Sequence, residues 1–441
     1  MIKNIKKYKF EKNYLISFLF SIFPLIILLP SGYITVYIAF LIIYGFNFLF
    51  ANKIKIKIIF FDYLIFIFFT LSIISTITNY GTSDYIILAK SIANIRFAFL
   101  FLLIRNLFHQ KIIKINTLLI LSTFGTIFVS LDIFLQFIYG KNILGYPQLE
   151  GRYGGIFGKE AIAGSYMQKF SMLAVLTFFY LELKKSSNIF IILITVTLCI
   201  LGVGILMTLD RAPFFIYFFS LLLLLILLKN FRKLISIIIL LIALFFIIAY
   251  KNNDLIHYRY KPVFNVAKII SFETINFANK SKNQIDENKY EDLREKIILK
   301  TGIEYFALYK SAFYVFKNSF WFGSGTKSYL KKCYELKKQK EELLCAPHPH
   351  NLYLEILVNQ GVFGFALFAI YLYFLFKKYF LDLFKLKINQ KDRLLKIIFL
   401  IILISELWPL RSYGSIFQTV NGSIFWFILA LISSSNKYSL K

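Results

Sequence analysis

The amino-acid sequence predicts an all-α, polytopic membrane protein: a transmembrane helix bundle of about twelve spans with one large, partly helical loop. Three observations predict it. Hydrophobic residues make up 58% of the 441-residue chain and its mean hydropathy is +0.67, more apolar surface than a water-soluble chain of this length can hide. Apolar runs of about 20 residues, each long enough to cross a bilayer, recur from end to end. Short clusters of lysine and arginine separate them.

Those clusters account for a formal net charge of +28. A nucleic-acid binder could carry such a charge. Here most of it flanks apolar runs, where lysine and arginine fix the orientation of spans, so no nucleic-acid partner is expected. Heavy use of Ile, Phe, Lys, Asn and Tyr also fits an AT-rich coding sequence. The lysine-rich start, Met1–Asn13, precedes an apolar run resembling a signal peptide. Pro24 and Pro30 interrupt that run and no small-residue cleavage site follows, so it reads as a retained first span.

The expected spans are Tyr14–Pro30, Gly32–Phe50, Ile58–Thr78, Tyr85–Ile104, Ile115–Ile138 and Tyr166–Leu183. Then come Ile189–Thr208, Pro213–Leu228, Leu234–Tyr250, Leu352–Phe376, Ile397–Leu407 and Gly422–Ser433. Connectors rich in positive charge alternate with poor ones. Lys53/Lys55/Lys57, Arg105/Lys111/Lys114, Lys184/Lys185, Lys229/Arg232/Lys233 and Lys377–Lys396 fall on one side. Asn79–Asp84 and Leu209–Ala212 fall on the other. Both termini then face the cytoplasm.

Three regions follow. Residues 1–250 form an N-terminal bundle with a glycine-rich periplasmic loop at 139–165. Residues 251–349 form the large periplasmic loop, which crosses whatever its charge. Residues 350–441 form a C-terminal transmembrane part. Within the large loop, Thr274–Asp292 is polar and expected to be irregular. Glu304–Asn318 has helix-spaced Tyr305, Leu308, Tyr309, Ala312, Phe313 and Phe316, as for an amphipathic helix against the membrane. Cys333 and Cys345 are candidate disulfide partners in an oxidising compartment, the alternative being two unpaired thiols. Cys199 lies in a span and is expected to be inert.

The residues that could carry chemistry gather at the predicted periplasmic face. Pro347-His348-Pro349-His350-Asn351-Leu352-Tyr353-Leu354-Glu355 closes the large loop and opens a span. Pro349 holds His348 extended, and Asn351 is suited to N-cap the helix. His350 then sits at the positive helix end, which disfavours the imidazolium and leaves a ring able to accept a proton. The same end attracts phosphate. Gly361 and Gly364 would allow close helix packing. A histidine that merely caps a helix is the plainer reading.

Gly151-Arg152-Tyr153-Gly154-Gly155-Ile156-Phe157-Gly158-Lys159-Glu160 pairs a planar guanidinium with glycines that let backbone N–H groups approach an anion. Without the Gly-Lys-Ser/Thr ending it is no Walker loop, and a flexible connector is its plain alternative. Arg211 in Leu209-Asp210-Arg211-Ala212-Pro213, and Arg411 in Trp408-Pro409-Leu410-Arg411-Ser412-Tyr413, stand at the rim, to grip an anion or to snorkel to headgroups. The two spans around Arg411 look short, so their connector is expected to dip into the membrane. Lys90 and Arg96 lie inside the fourth span, which marks either function or an ion pair with Asp62 or Asp132. No acidic cluster, HExxH or CxxC pattern offers a metal site.

His-Asn-Tyr-Leu-Glu opening a span, with Gly361 and Gly364 after it, resembles the O-antigen ligase/polymerase superfamily. So do Phe322-Gly323-Ser324-Gly325-Thr326 and the arginines Arg152 and Arg211. Lys159-Glu160 departs from the Asn-Pro-like residues of many members, and a proline separates the histidines. The resemblance implies a glycosyltransferase needing neither metal nor cofactor. Its donor would be a glycan on undecaprenyl pyrophosphate. Its acceptor would be a sugar hydroxyl of lipid A–core in a ligase, or a second lipid-linked glycan in a polymerase. Arg152 and Arg211, with Arg411, become pyrophosphate binders and His350 the base. His348, Asn351, Glu160, Arg96 and Lys90 remain secondary candidates. A lipid-linked glycan transporter is a rival class, although its site would lie at mid-membrane between symmetric repeats. A membrane scaffold is another, but it explains none of the rim arginines.

Overall fold

The computed structural model describes residues 13–80, 84–149, 151–158, 160, 162–182, 188–264, 303–340, 343–383, 390–409 and 411–434. The lysine-rich beginning up to residue 12, the polar stretch Thr274–Asp292, Lys184/Lys185 and Lys159 lie outside the described residues. The described chain is helical apart from connectors and two isolated β-bridges.

The first span is broken into a helix at 13–21 and the short Phe23–Ile26, with Pro24 in the first turn of the second piece. The N-terminal half then supplies α1 (Ser31–Ala51), α2 (Phe60–Tyr80), α3 (Tyr85–Ala93), α4 (Arg96–His109) and α5 (Ile115–Tyr139). It continues with α6 (Ala163–Glu182), α7 (Asn188–Met207), α8 (Arg211–Leu227) and α9 (Arg232–Asn252). A further helix covers 254–264. In the second half lie α10 (Ile303–Asn318), α11 (Tyr329–Lys337), α12 (Leu352–Leu383), α13 (Gln390–Glu406) and α14 (Thr419–Ser434).

Six of these stretches are long and apolar enough to span a bilayer: α1, α2, the α3–α4 pair, α5, Lys229–Asn252 and α12. Ile191–Met207, α8 and α14 are shorter apolar helices. Hydropathy predicts about twelve spans; the helices establish a membrane protein, and six of those spans are full-length apolar helices among the described residues. The difference has local causes. The first span is interrupted, α6 buries the polar Gln168, Lys169 and Ser171, and α13 opens on Gln390-Lys391-Asp392-Arg393.

The core forms where apolar helices surround one another. α5, α6 and α7 pack together, α12 lies along α2, and α14 lies along α4. α14 is apolar on all sides and correspondingly buried from Gly422 to Ser434. Buried charges are tied at contact distance. Arg105 Nε donates to Asp62 Oδ1 at 2.6 Å. Glu406 takes Lys169 at 3.3 Å and Arg411 at 3.0 Å, and accepts the Tyr413 hydroxyl at 2.5 Å.

Two irregularities depart from the expected elements. The fourth span tightens at Asn94–Ile95 into a turn of i to i−3 hydrogen bonds with both residues still right-handed, and Arg96 follows at the start of α4. α12 is kinked at Gly361, whose φ of 65° lies in the left-handed region. That glycine does not serve helix–helix packing. The segment Phe320–Gly325 docks into the kink, where Ser324 and Gly325 N–H groups donate to Val358 and Asn359 carbonyls at 2.7 and 3.0 Å. Val362 N–H returns a bond to the Phe320 carbonyl at 2.9 Å. The glycine-x-glycine segment thus replaces helix bonds lost at the kink, and a Cβ on Gly361 would collide with the Trp321 backbone. The same segment leads to α11, where a disulfide joins Cys333 to Cys345.

Candidate functional site

At the end of the bundle where α5 stops and α6, α8, α12 and α14 begin, the connectors enclose a cavity of about 710 Å³. Each wall has a local cause.

The glycine-rich loop after α5 is anchored by that helix's own last turns. Asp132 accepts from Ile143 N–H at 2.9 Å, Gln136 donates to the Tyr146 and Pro147 carbonyls, and the Gly155 N–H donates back to Gln136 at 2.8 Å. Asp132 is thereby engaged with the loop and Asp62 with Arg105, so neither is the ion-pair partner of Lys90 or Arg96. The Tyr153 N–H donates to the Thr208 carbonyl at 3.2 Å, fastening this loop to the α7–α8 turn. Arg152 lands 3.3 Å from Asp210.

The α7–α8 turn supplies Asp210 and Arg211, with Leu209 at a φ of 62°. Arg259, on the helix after α9, donates to the Leu209 carbonyl across 3.5 Å. Three arginines from three connectors thus surround one aspartate, and all three line the cavity. Their crowding shows in their electrostatics. Burial, then the neighbouring Arg152 and Arg211, lower the Arg259 pKa. Burial pushes the Asp210 carboxyl up to about 6 against the pull of Arg152, Arg259 and Arg211.

His348 and His350 form the opposite wall, with ring centroids 4.1 Å apart. Asn351 caps α12 as its sequence suggests: its Oδ1 accepts from the Tyr353 and Leu354 N–H groups at 3.0 and 3.1 Å. Its amide also donates to the Pro409 carbonyl at 2.8 Å, joining α12 to the loop after α13. The His350 carbonyl accepts the Tyr413 N–H at 2.9 Å, and His350 itself has a φ of 57°. Left-handed backbone at a histidine is uncommon and collects where a side chain must be aimed. Both rings are held neutral at pH 7. Burial, then His350 and Lys327, bring the His348 pKa down to about 4. Burial, then Arg152, lower that of His350.

The sequence-predicted residues are therefore divided. Arg152, Arg211, His348 and His350 meet at one cavity, and Asn351 positions its histidine wall. Arg411 does not line it. Its guanidinium is buried against Glu406 and the Ser405 carbonyl, where it supports Tyr413 from behind. The exposed Glu160, and Lys90 and Arg96, also lie off the cavity. Sequence reasoning misses Arg259 and leaves Asp210 without a role. The signal for Arg259 was the Tyr258-Arg259-Tyr260-Lys261-Pro262 stretch directly after a span, whose helical register turns Arg259 inward. Among the described residues no cluster of three or more His, Cys, Asp or Glu could hold a metal ion.

The cavity can accommodate an anion at the arginines and a proton acceptor a short way across. No curated protein matches the chain. A family model described as O-Antigen ligase matches residues 194–369, a stretch holding Arg211, Arg259, His348 and His350. That match covers the segments that build most of the cavity and supports the resemblance to the O-antigen ligase/polymerase superfamily.

Proposed function

We propose that this protein is an O-antigen ligase-type glycosyltransferase of the bacterial inner membrane, with both termini in the cytoplasm and its cavity at the periplasmic face. It moves a glycan from undecaprenyl pyrophosphate to a sugar hydroxyl of lipid A–core and uses neither metal nor cofactor. The observation that carries this reading is the surplus of positive charge among the described residues that line the cavity: Arg152, Arg211 and Arg259 around the carboxylate Asp210, facing two neutral imidazoles.

The donor pyrophosphate lies against the arginines, which are planar forks suited to phosphate oxygens. The acceptor hydroxyl attacks the anomeric carbon. As that bond forms, the hydroxyl proton passes to His350. The bond from the anomeric carbon to the pyrophosphate oxygen breaks, and the electron pair leaves on undecaprenyl pyrophosphate. One displacement inverts the anomeric centre. A sugar hydroxyl is too weak an acid to ionise beforehand, so proton transfer during attack contributes about 10²–10⁴-fold. The arginines stabilise the charge growing on the leaving group. His348 is the alternative proton acceptor, buried deeper and harder to protonate.

Polymerisation of lipid-linked repeat units is the second reading, because donor, cavity and base would be shared. Transfer assayed in proteoliposomes tests the chemistry. His350→Ala is expected to lose about 10²–10⁴-fold in rate and Arg211→Ala about 10²–10³-fold. Full activity in either variant removes the corresponding role. Deleting the gene separates the readings: free lipid-linked polymer with bare core means ligase, whereas core bearing a single repeat means polymerase.

A further inference from the structure

A second group of cations lies beside His348 but outside the arginine cavity. Ser72 on α2 is the hinge of this group. Its hydroxyl is within 3.5 Å of Ser91 on α3 and bonds Thr326 in the docked glycine segment. Lys90 and Lys327, each adjacent in sequence to one of those residues, are thereby brought to one place. Lys327 has a φ of 66°, another non-glycine residue aimed by left-handed backbone. Arg96 joins them from the turn between α3 and α4. Its Nη2 donates to Thr419 Oγ1 at 3.1 Å, while its buried Nε has no partner among the described residues. Thr419 belongs to the first turn of α14, and Asn421 of the same turn lines the arginine cavity. The two cation groups are thus neighbours across one helix end.

Among the described residues none of Lys90, Arg96 and Lys327 makes an ion pair. Glu355 is the carboxylate that acts on Lys327, and its Oε2 already accepts the Ile416 N–H at 3.1 Å. Burial lowers the Lys327 pKa; Glu355 acts against that shift, and the nearby Lys90 and Arg96 charges add to it. Lys90 is exposed on α3, which leaves the group open to an approaching ligand. Arg96 and Lys327 are half-buried, and half-buried cations without an ion-pair partner are costly unless an anion completes them.

We propose that Lys90, Arg96 and Lys327 form a phosphate site for the acceptor glycolipid, which holds that substrate with its hydroxyl at the histidines while the arginines hold the donor. This assignment rests on the transfer reading above. A phosphate matches the group better than a carboxylate, because its charge and oxygens can engage a guanidinium fork and two ammonium groups together.

The test uses the full-length protein in phosphatidylcholine nanodiscs. The probes are lipid A with its phosphates, the same lipid enzymatically dephosphorylated, phosphatidylglycerol as a headgroup control, and undecaprenyl pyrophosphate. The wild-type protein is expected to prefer phosphorylated over dephosphorylated lipid A by about tenfold or more. In Lys90→Gln/Lys327→Gln that preference is expected to vanish while undecaprenyl pyrophosphate still binds, which also verifies the fold. Equal binding of the two lipid A forms by the wild-type protein overturns the site without recourse to any variant. So does a preference that survives the double substitution. Displacement by equimolar phosphatidylglycerol overturns it as well, leaving only a general headgroup contact. Failure of the wild-type protein to bind undecaprenyl pyrophosphate counts against the donor reading alone, because the phosphate preference is scored separately.

Discussion

Beneath the cavity and inside it, the same side-chain types are treated in opposite ways. Below, Arg105 is held by Asp62, and Lys169 and Arg411 converge on Glu406 with the Tyr413 hydroxyl between them. Each of these groups is shielded from solvent and meets acceptors at contact distance. Inside the cavity, Arg152 makes one ion pair at 3.3 Å, Arg259 reaches a carbonyl across 3.5 Å, and the three arginines share one carboxylate. The difference teaches how to separate architecture from site in a membrane bundle. A buried cation whose hydrogen bonds are saturated by the protein holds helices together. A cation left short of acceptors beside an open volume waits for an anion from outside.

The comparison breaks most decisively at Glu406. Glu406→Ala leaves Lys169 and Arg411 buried without their counter-charge, so it is expected to cost about 3–5 kcal/mol of stability. A thermal melt in detergent reads this directly. Arg211→Ala in the same assay is expected to leave the melting temperature unchanged while transfer collapses. Equal destabilisation by the two substitutions would erase the distinction between the two regions.

Arg259 sharpens it next. If this arginine belongs to the anion site rather than to the packing of the 254–264 helix, Arg259→Gln keeps its contact with the Leu209 carbonyl but loses its charge. Loss of a charge-assisted bond worth about 1.5–3 kcal/mol predicts donor binding weaker by at least tenfold. Unchanged affinity for undecaprenyl pyrophosphate would return Arg259 to a structural role.

Much of this arrangement is legible in the residues, and what is not has physical reasons. Hydropathy reports the helices because it averages over lengths comparable with a span. The same averaging conceals Asn94–Ile95, where a span tightens for one turn, and Gly361, where α12 kinks, because one or two residues do not alter the mean polarity. Arg152, Arg211, His348 and His350 stand out as polar groups at span ends, and their grouping follows from alternating topology. Asn351 is legible because an N-cap is a local contact. Arg411 looks equivalent to Arg211 by position, yet Glu406 captures it from five residues away. Arg259 and Lys327 are hidden for the converse reason. Each gains its setting from a docked connector, the 254–264 helix or the glycine segment in the α12 kink; the Tyr258–Pro262 stretch marks Arg259 as lying just after a span, but not where that connector docks.

Asp210 gives a smaller effect of opposite sign. It competes from within the protein for the cavity arginines, bonded to Arg152 and flanked by the others. Asp210→Asn removes the competition while preserving shape, so donor KM is expected to fall by a few-fold. A rise in donor KM would mean that Asp210 orients Arg152 rather than competing for it.

The pH profile divides the same cavity most finely. With its pKa raised to about 6, Asp210 is charged at pH 7 and becomes neutral as pH falls through that value. Its hold on Arg152 then relaxes, and donor KM should decrease over the same interval. His350 moves the other way: its pKa lies below the ordinary 6.5, so base function persists to lower pH and fails only on the acid side of that value. Acidification should therefore tighten donor binding as pH falls through about 6, and lower kcat on the acid side of 6.5. In Asp210→Asn the dependence of KM near pH 6 disappears while the acid limb of kcat remains. An acid limb of kcat above pH 6.5 would contradict a base whose protonation is opposed by burial and by Arg152. Such a result would place the proton acceptor outside this pair of imidazoles, because the His348 pKa lies lower still, at about 4.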